Sequence, residues 1–137
     1  MKVKVLKKDV KLPMKSHLPD VGLDIFLPED ISFKPFETKT IGLGLAVAIP
    51  EGFAGILVPR SSIAQTGLII QPAIIDPDYV AEIHLIATNC SNNTQSFEKG
   101  QRLCSLVMIN ALNAYIELTD TLTSTTRGEK GLGSTGK

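Results

Sequence analysis

The chain has 137 residues, 43% of them hydrophobic, and its fourteen basic and fourteen acidic side chains cancel to no net charge. That length fits one domain with a sizeable core, no apolar run is long enough to span a bilayer, and the even charge balance excludes a global field for nucleic acid or anionic lipid. Any polyanion site must therefore be a local concentration of donors, which points to a small ligand. Met1-Lys-Val-Lys-Val-Leu mixes charge and apolar residues from the start and has no continuous apolar segment of the signal-peptide kind, so the expectation is a cytoplasmic protein. Cys90, Cys104, His17 and His84 have no zinc-ligand spacing, and the two cysteines read as buried free thiols.

In chain order, Val3 and Val5 alternate with Lys2 and Lys4 as a first strand. Val21-Gly-Leu-Asp24-Ile-Phe places a carboxylate inside an apolar run. Burying it unpaired is costly, so a cation, a donor or water must stand beside it. Ile41, Leu43, Leu45, Val47 and Ile49 alternate with Gly42, Gly44, Ala46 and Ala48, which predicts a strand apolar on both faces, deep between layers or at a subunit contact. A strand from Gly55 to Val58 ends at Pro59 and feeds Arg60, Ser61 and Ser62 into a helix of a turn or two, with hydroxyls at its start and Gly67 near its end. An arginine and two hydroxyls at a helix start suit an anion, and equally a simple cap with a surface arginine.

Ala73 to Glu82 predicts two apolar strands joined as a hairpin by the turn Asp76-Pro77-Asp78. Tyr79 beside these carboxylates offers a ring to stack on a sugar and a base or metal partner next to it, although ordinary turn chemistry uses the same residues. Glu82 to Asn89 and Arg102 to Asn110 complete the strand signals. Many short strands with turns between them define an all-β sandwich or barrel with one short helix. From Thr119 the composition turns to Thr, Ser and Gly, which divides a β-rich core, 1–118, from a flexible arm, 119–137.

The arm ends in Arg127-Gly-Glu-Lys-Gly-Leu-Gly-Ser-Thr-Gly-Lys137, where glycine N–H groups, two hydroxyls and three cations suit a polyphosphate. A disordered terminus has the same composition, and both readings hold if the arm orders on a ligand. Gly131 to Lys137 also imitates the start of a P-loop, but it lacks the following Ser/Thr and helix, so the ATPase reading is set aside.

Taken in order, V-G-L-D-I, P-R-S-S, I-I-D-P-D-Y, G-Q-R-L and R-G-x-x-G-x-G-S-T-G resemble the five motifs of trimeric dUTP pyrophosphatases, the dUTPases. The resemblance covers Val21 to the C-terminus. It implies a β jelly-roll homotrimer with active sites shared between subunits, hydrolysing dUTP to dUMP and pyrophosphate with Mg²⁺ held mainly by the triphosphate. Asp76 would activate the water that attacks the α-phosphorus in line, and Tyr79 would stack on the deoxyribose. The backbone around Ala73 to Asp76, with Ala73 and Ile75 as its binding residues, would read the uracil. Arg60, Ser61 and Ser62 would serve the phosphates, and Asp24 would reach the metal indirectly, through water. Arg127, Leu132, Gly133, Ser134 and Thr135 would close over the substrate.

Four residues depart from that pattern. Ala73 and Ala81 replace glycines, which would strain the backbone at positive φ. Ser105 replaces a glutamine that would reach the phosphates, and Leu132 replaces a phenylalanine lid worth ~0.5–1.5 kcal/mol of stacking. These changes predict weaker binding or a shifted preference with the chemistry retained. A dCTP deaminase or bifunctional deaminase/dUTPase is the alternative enzyme. A dUTP-gated regulatory module, with a protein partner left open, is the alternative outside catalysis.

Overall fold

The computed structural model describes residues 1–112, 114–126 and 128. Its elements in chain order are β1 (Lys2–Val5), β2 (Leu23–Phe26), β3 (Ile31–Phe33), β4 (Thr38–Ala48), β5 (Phe53–Pro59), α1 (Ser61–Ala64), β6 (Leu68–Ile70), β7 (Ala73–Ile75), β8 (Glu82–Asn89), β9 (Gln95–Phe97) and β10 (Arg102–Asn110). One antiparallel sheet runs β1-β4-β8-β6 and a second runs β2-β10-β5-β7, while β3 and β9 form a separate pair. Alternating apolar side chains from both larger sheets meet in one core: Leu45 and Leu85 from the first, Leu57 and Leu106 from the second, all with no exposed surface. This is the near-all-β fold with one short helix that the strand periods predict. No helix among the described residues is long and apolar enough to cross a membrane.

β4 lies deep between layers, with Leu43 through Val47 buried on both faces. Its ladder to β8 slips between Gly42 and Ala46, a bulge that leaves a backbone N–H without a ladder partner. The Glu82 carboxylate accepts that N–H, from Gly44, at 2.8 Å. Gly44 has φ +69°, and a Cβ built there would come 2.8 Å from Val10 Cγ2, so this position needs glycine on two counts.

The fully buried Asn89 fastens the end of β8 to the β3–β9 region. Its amide nitrogen reaches the carbonyls of Phe33, Lys34 and Asn93 at 3.2, 3.1 and 2.8 Å, and its oxygen accepts from the Ser91 hydroxyl and amide at 2.8 and 3.0 Å. Both polar atoms of the Asn89 side chain are thus partnered, which offsets the cost of burying them.

Three expectations need correction. The Asp76 turn does not join a two-stranded ladder, because β7 pairs with β5 in one sheet and β8 with β4 and β6 in the other. Apolar runs on either side of a turn looked like hairpin partners, but each finds a longer neighbour elsewhere. The serine hydroxyls do not cap α1: Arg60 occupies the cap position, with no side-chain cap bond. Both cysteines are free, but only Cys104 is buried, and Cys90 is exposed just past the end of β8. Burial, reinforced by the Asp24 charge, pushes the Cys104 thiol up to about 12.

Candidate functional site

β10 is the shared neighbour that assembles the site. It pairs with β2 on one side, setting Ser105 opposite Asp24, and with β5 on the other, setting Cys104 opposite Pro59. The Arg60 N–H donates to the Leu103 carbonyl at 3.1 Å, so the guanidinium leaves the end of β5 beside the first residues of β10. Arg102 opens β10 opposite Phe26 of β2. Residues 36 and 78 positions away from Asp24 therefore converge on it.

The carboxylate is 5% exposed and fully engaged. Oδ1 accepts from Arg60 Nη1 and from the Ser105 hydroxyl at 2.8 Å, and Oδ2 accepts from Arg102 Nη1 at 2.9 Å and the Ser16 hydroxyl at 2.8 Å. Burial works against the charge, but the hydrogen bonds from Ser16, Arg60 and Ser105, together with the Arg60 charge, outweigh it and hold the carboxyl at about 2. The need for a cation and donors around Asp24 is met. Ser105 is turned to Asp24. Gly22 permits this closeness, since a Cβ there would stand 3.1 Å from Ser105 Cβ.

The cluster floors a cleft of about 460 Å³, walled by Ser16, His17, Asp20, Val21 and Gly22 of the preceding loop. A second cleft of about 410 Å³ shares Arg60 and Arg102 and adds Ser62, Gly100 and Gln101. Both arginine side chains are partly exposed, at 27% and 38%, and line both clefts. Fork-shaped donors held by a buried anion suit phosphate oxygens. The Ser61 and Ser62 side chains are exposed beside them.

Asp76 and Tyr79 do not join this cluster. The β5–β7 register pairs Leu57 with Ala73 and Gly55 with Ile75, so Asp76 falls level with the start of β5 while Arg60 lies past its end. Six residues of strand separate them, about 20 Å at the rise of extended chain. Asp76 is exposed, and its carbonyl accepts the Tyr79 N–H at 3.1 Å to close the turn. The Tyr79 hydroxyl donates to the Glu82 carbonyl at 2.7 Å, fixing a half-exposed ring beside the turn. Ala73 and Ile75 lie on β7, and neither Ala73 nor Ala81 has positive φ, so the feared backbone strain is absent. Arg127, Leu132, Gly133, Ser134 and Thr135 lie outside the described residues.

The site also contains two residues to which the sequence assigned no role: Arg102, which lies in the G-Q-R-L motif, and Ser16. For Arg102 the signals were its place in that motif and at the start of an otherwise apolar strand. Ser16 carried none, because its partner is set by the course of a loop. Among the described residues no cluster of three or more His, Cys, Asp or Glu side chains could cage a metal.

The dUTPase family profile matches residues 8–136. Curated relatives include the deoxyuridine 5'-triphosphate nucleotidohydrolases of Clostridium novyi, 36% identical over 99% of this chain and 99% of that one, and of Hydrogenobaculum sp., 35% identical over 98% and 96%. Among solved structures, the Staphylococcus bacteriophage 80alpha dUTPase with dUPNHPP superposes with a TM-score of 0.93, at 28% identity over 99% of this chain and 98% of that one. The chain belongs to the dUTPase family.

Proposed function

We propose that the chain hydrolyses dUTP to dUMP and pyrophosphate, in an assembly whose sites are shared between subunits. The observation that carries the reading is the Asp24-anchored pair Arg60 and Arg102 at an open cleft, in a chain whose relatives are named for this reaction. The pair would receive the phosphate chain with Ser61 and Ser62. Asp76, exposed and beside Tyr79, would orient the attacking water, and Tyr79 would stack on the deoxyribose with its ring held by Glu82. Positioning and charge neutralisation supply most of the acceleration in such chemistry. The gap of about 20 Å between Asp76 and Arg60 along one chain supports a homotrimer in which neighbouring subunits supply the two halves. Leu112, Tyr115, Ile116, Leu118 and Leu122, almost fully exposed beyond β10, support it further, since such side chains favour burial on a partner.

Mg²⁺ fits this site as an ion carried in by the triphosphate. A carboxylate has about four acceptor positions, and the donors on Asp24 fill them, leaving no direct metal bond. Asp24 would therefore serve the ion only indirectly, through water, while Arg60 and Arg102 would hold the phosphates that carry it. The ion would supply charge neutralisation on the transferring phosphoryl group.

The test is incubation with Mg²⁺ and dUTP, dCTP, dTTP or UTP while pyrophosphate and ammonia are followed. Pyrophosphate from dUTP alone is the expected result. Ammonia from dCTP would replace the reading with a deaminase, and tight dUTP binding without pyrophosphate would replace it with a binding module.

A further inference from the structure

We propose that Ser16 is a positioning residue for the triphosphate, its hydroxyl holding the Arg102 guanidinium toward the cleft. The inference rests on reading that cleft as the phosphate site. Ser16 Oγ lies 2.6 Å from Arg102 Nη1 and 2.8 Å from Asp24 Oδ2, and Arg102 Nη1 lies 2.9 Å from the same carboxylate oxygen. The three groups close a triangle. The hydroxyl uses its one proton on Asp24 and a lone pair on Arg102, so both of its capacities are engaged.

The geometry matters because Arg102 is long and 38% exposed. A lone charge contact leaves such a side chain much of its rotamer freedom, and a second anchor on the same nitrogen removes it before the ligand arrives. Arg60 is anchored differently, on Oδ1, where Ser105 is the neighbouring donor. The two guanidinium groups are thus held by separate serine-assisted contacts on the two oxygens of one carboxylate.

Ser16 is itself held in place by the loop that carries it. Met14 and Asp24 exchange backbone hydrogen bonds of 2.8 and 3.2 Å, closing the loop at its base. Near its tip the His17 N–H donates to the Asp20 carboxylate at 2.8 Å and the Asp20 N–H to the His17 carbonyl at 3.0 Å. Ser16 is the residue through which this closed flap bonds to the arginine cluster. It precedes Val21, where the run of family motifs in this chain begins.

The test measures dUTP hydrolysis with Mg²⁺ for Ser16→Ala, Ser16→Thr and Arg102→Ala, and for Ser16→Ala combined with Arg102→Ala. Losing one hydrogen bond to a partly solvated arginine, worth no more than an ordinary net hydrogen bond, should raise KM about five- to tenfold. The value of kcat should change less than about twofold, because the contact serves ground and transition states alike. Ser16→Thr, which keeps the hydroxyl, should restore KM. In the Arg102→Ala background Ser16→Ala should have almost no further effect. If urea melts show Arg102→Ala unfolded, Arg102→Lys, which lacks the fork, takes its place in the cycle. An impaired Arg102 variant with an unaltered Ser16→Ala, or an equal loss in both backgrounds, overturns this inference alone. An unaltered KM in a folded Arg102→Ala overturns the phosphate reading of the cleft and this inference with it.

Discussion

Asp24→Asn removes the charge on which two arginines and two serines converge while keeping the side chain's size. In the wild-type chain, lowering the carboxyl from 3.8 to about 2 corresponds to about 2 kcal/mol of stability at neutral pH. Because the folded value is the depressed one, that contribution is complete above about pH 5 and falls away as pH drops from 4 toward 2, so most of it is gone at pH 2. Asparagine also turns an amide N–H₂ toward groups that donate. A fully buried pair broken this way costs about 3–5 kcal/mol. The partly exposed guanidinium groups recover some solvation, so the expected loss at pH 7 is about 2–3 kcal/mol. The assay is urea unfolding of both proteins at matched concentration, since association adds to apparent stability, at pH values from 7 to 2. The gap between wild type and variant should narrow by about 2 kcal/mol over the acid range. A gap independent of pH would refute the assignment of Asp24 as the ionised anchor.

Two further substitutions test the frame around the site. Asn89→Ala strands the Phe33, Lys34 and Asn93 carbonyls, and urea unfolding should show a loss of about 2–4 kcal/mol. Gly44→Ala forces a Cβ onto Val10 at a left-handed φ, and should cost about 1–3 kcal/mol, read as a lower urea midpoint with an unchanged slope.

The parts of the fold legible in the sequence were those long enough to carry a period. β4, β8 and β10 span eight to eleven residues, and their alternation identifies them and, for β4, its burial on both faces. β3, β6, β7 and β9 have three residues each, too few for any period, and their partners are chosen by pairing across the sheets. The same limit misled the reading of the Asp76 turn, where local apolar runs were joined as a hairpin. In the site, a carboxylate in an apolar run announced that Asp24 needs partners. Which partners was not legible, because the convergence of Arg60, Arg102 and Ser105 follows from the place of β10 between β2 and β5. Ser105 illustrates the difference: the resemblance to the dUTPases marked it as a shortened side chain, and the fold gives its hydroxyl the carboxylate.

The central claim is that Asp76 and Arg60 act at one site although a single chain holds them far apart. Complementation tests it most directly: unfold and refold a 1:1 mixture of Asp76→Asn and Arg60→Ala chains, confirm mixed assemblies, and measure dUTP hydrolysis. Each variant alone should be nearly inactive, and about one site in four of the mixture should pair an intact Asp76 with an intact Arg60 from a neighbour, restoring about a quarter of wild-type turnover. Confirmed mixed assemblies with no activity above the separate variants would contradict the account.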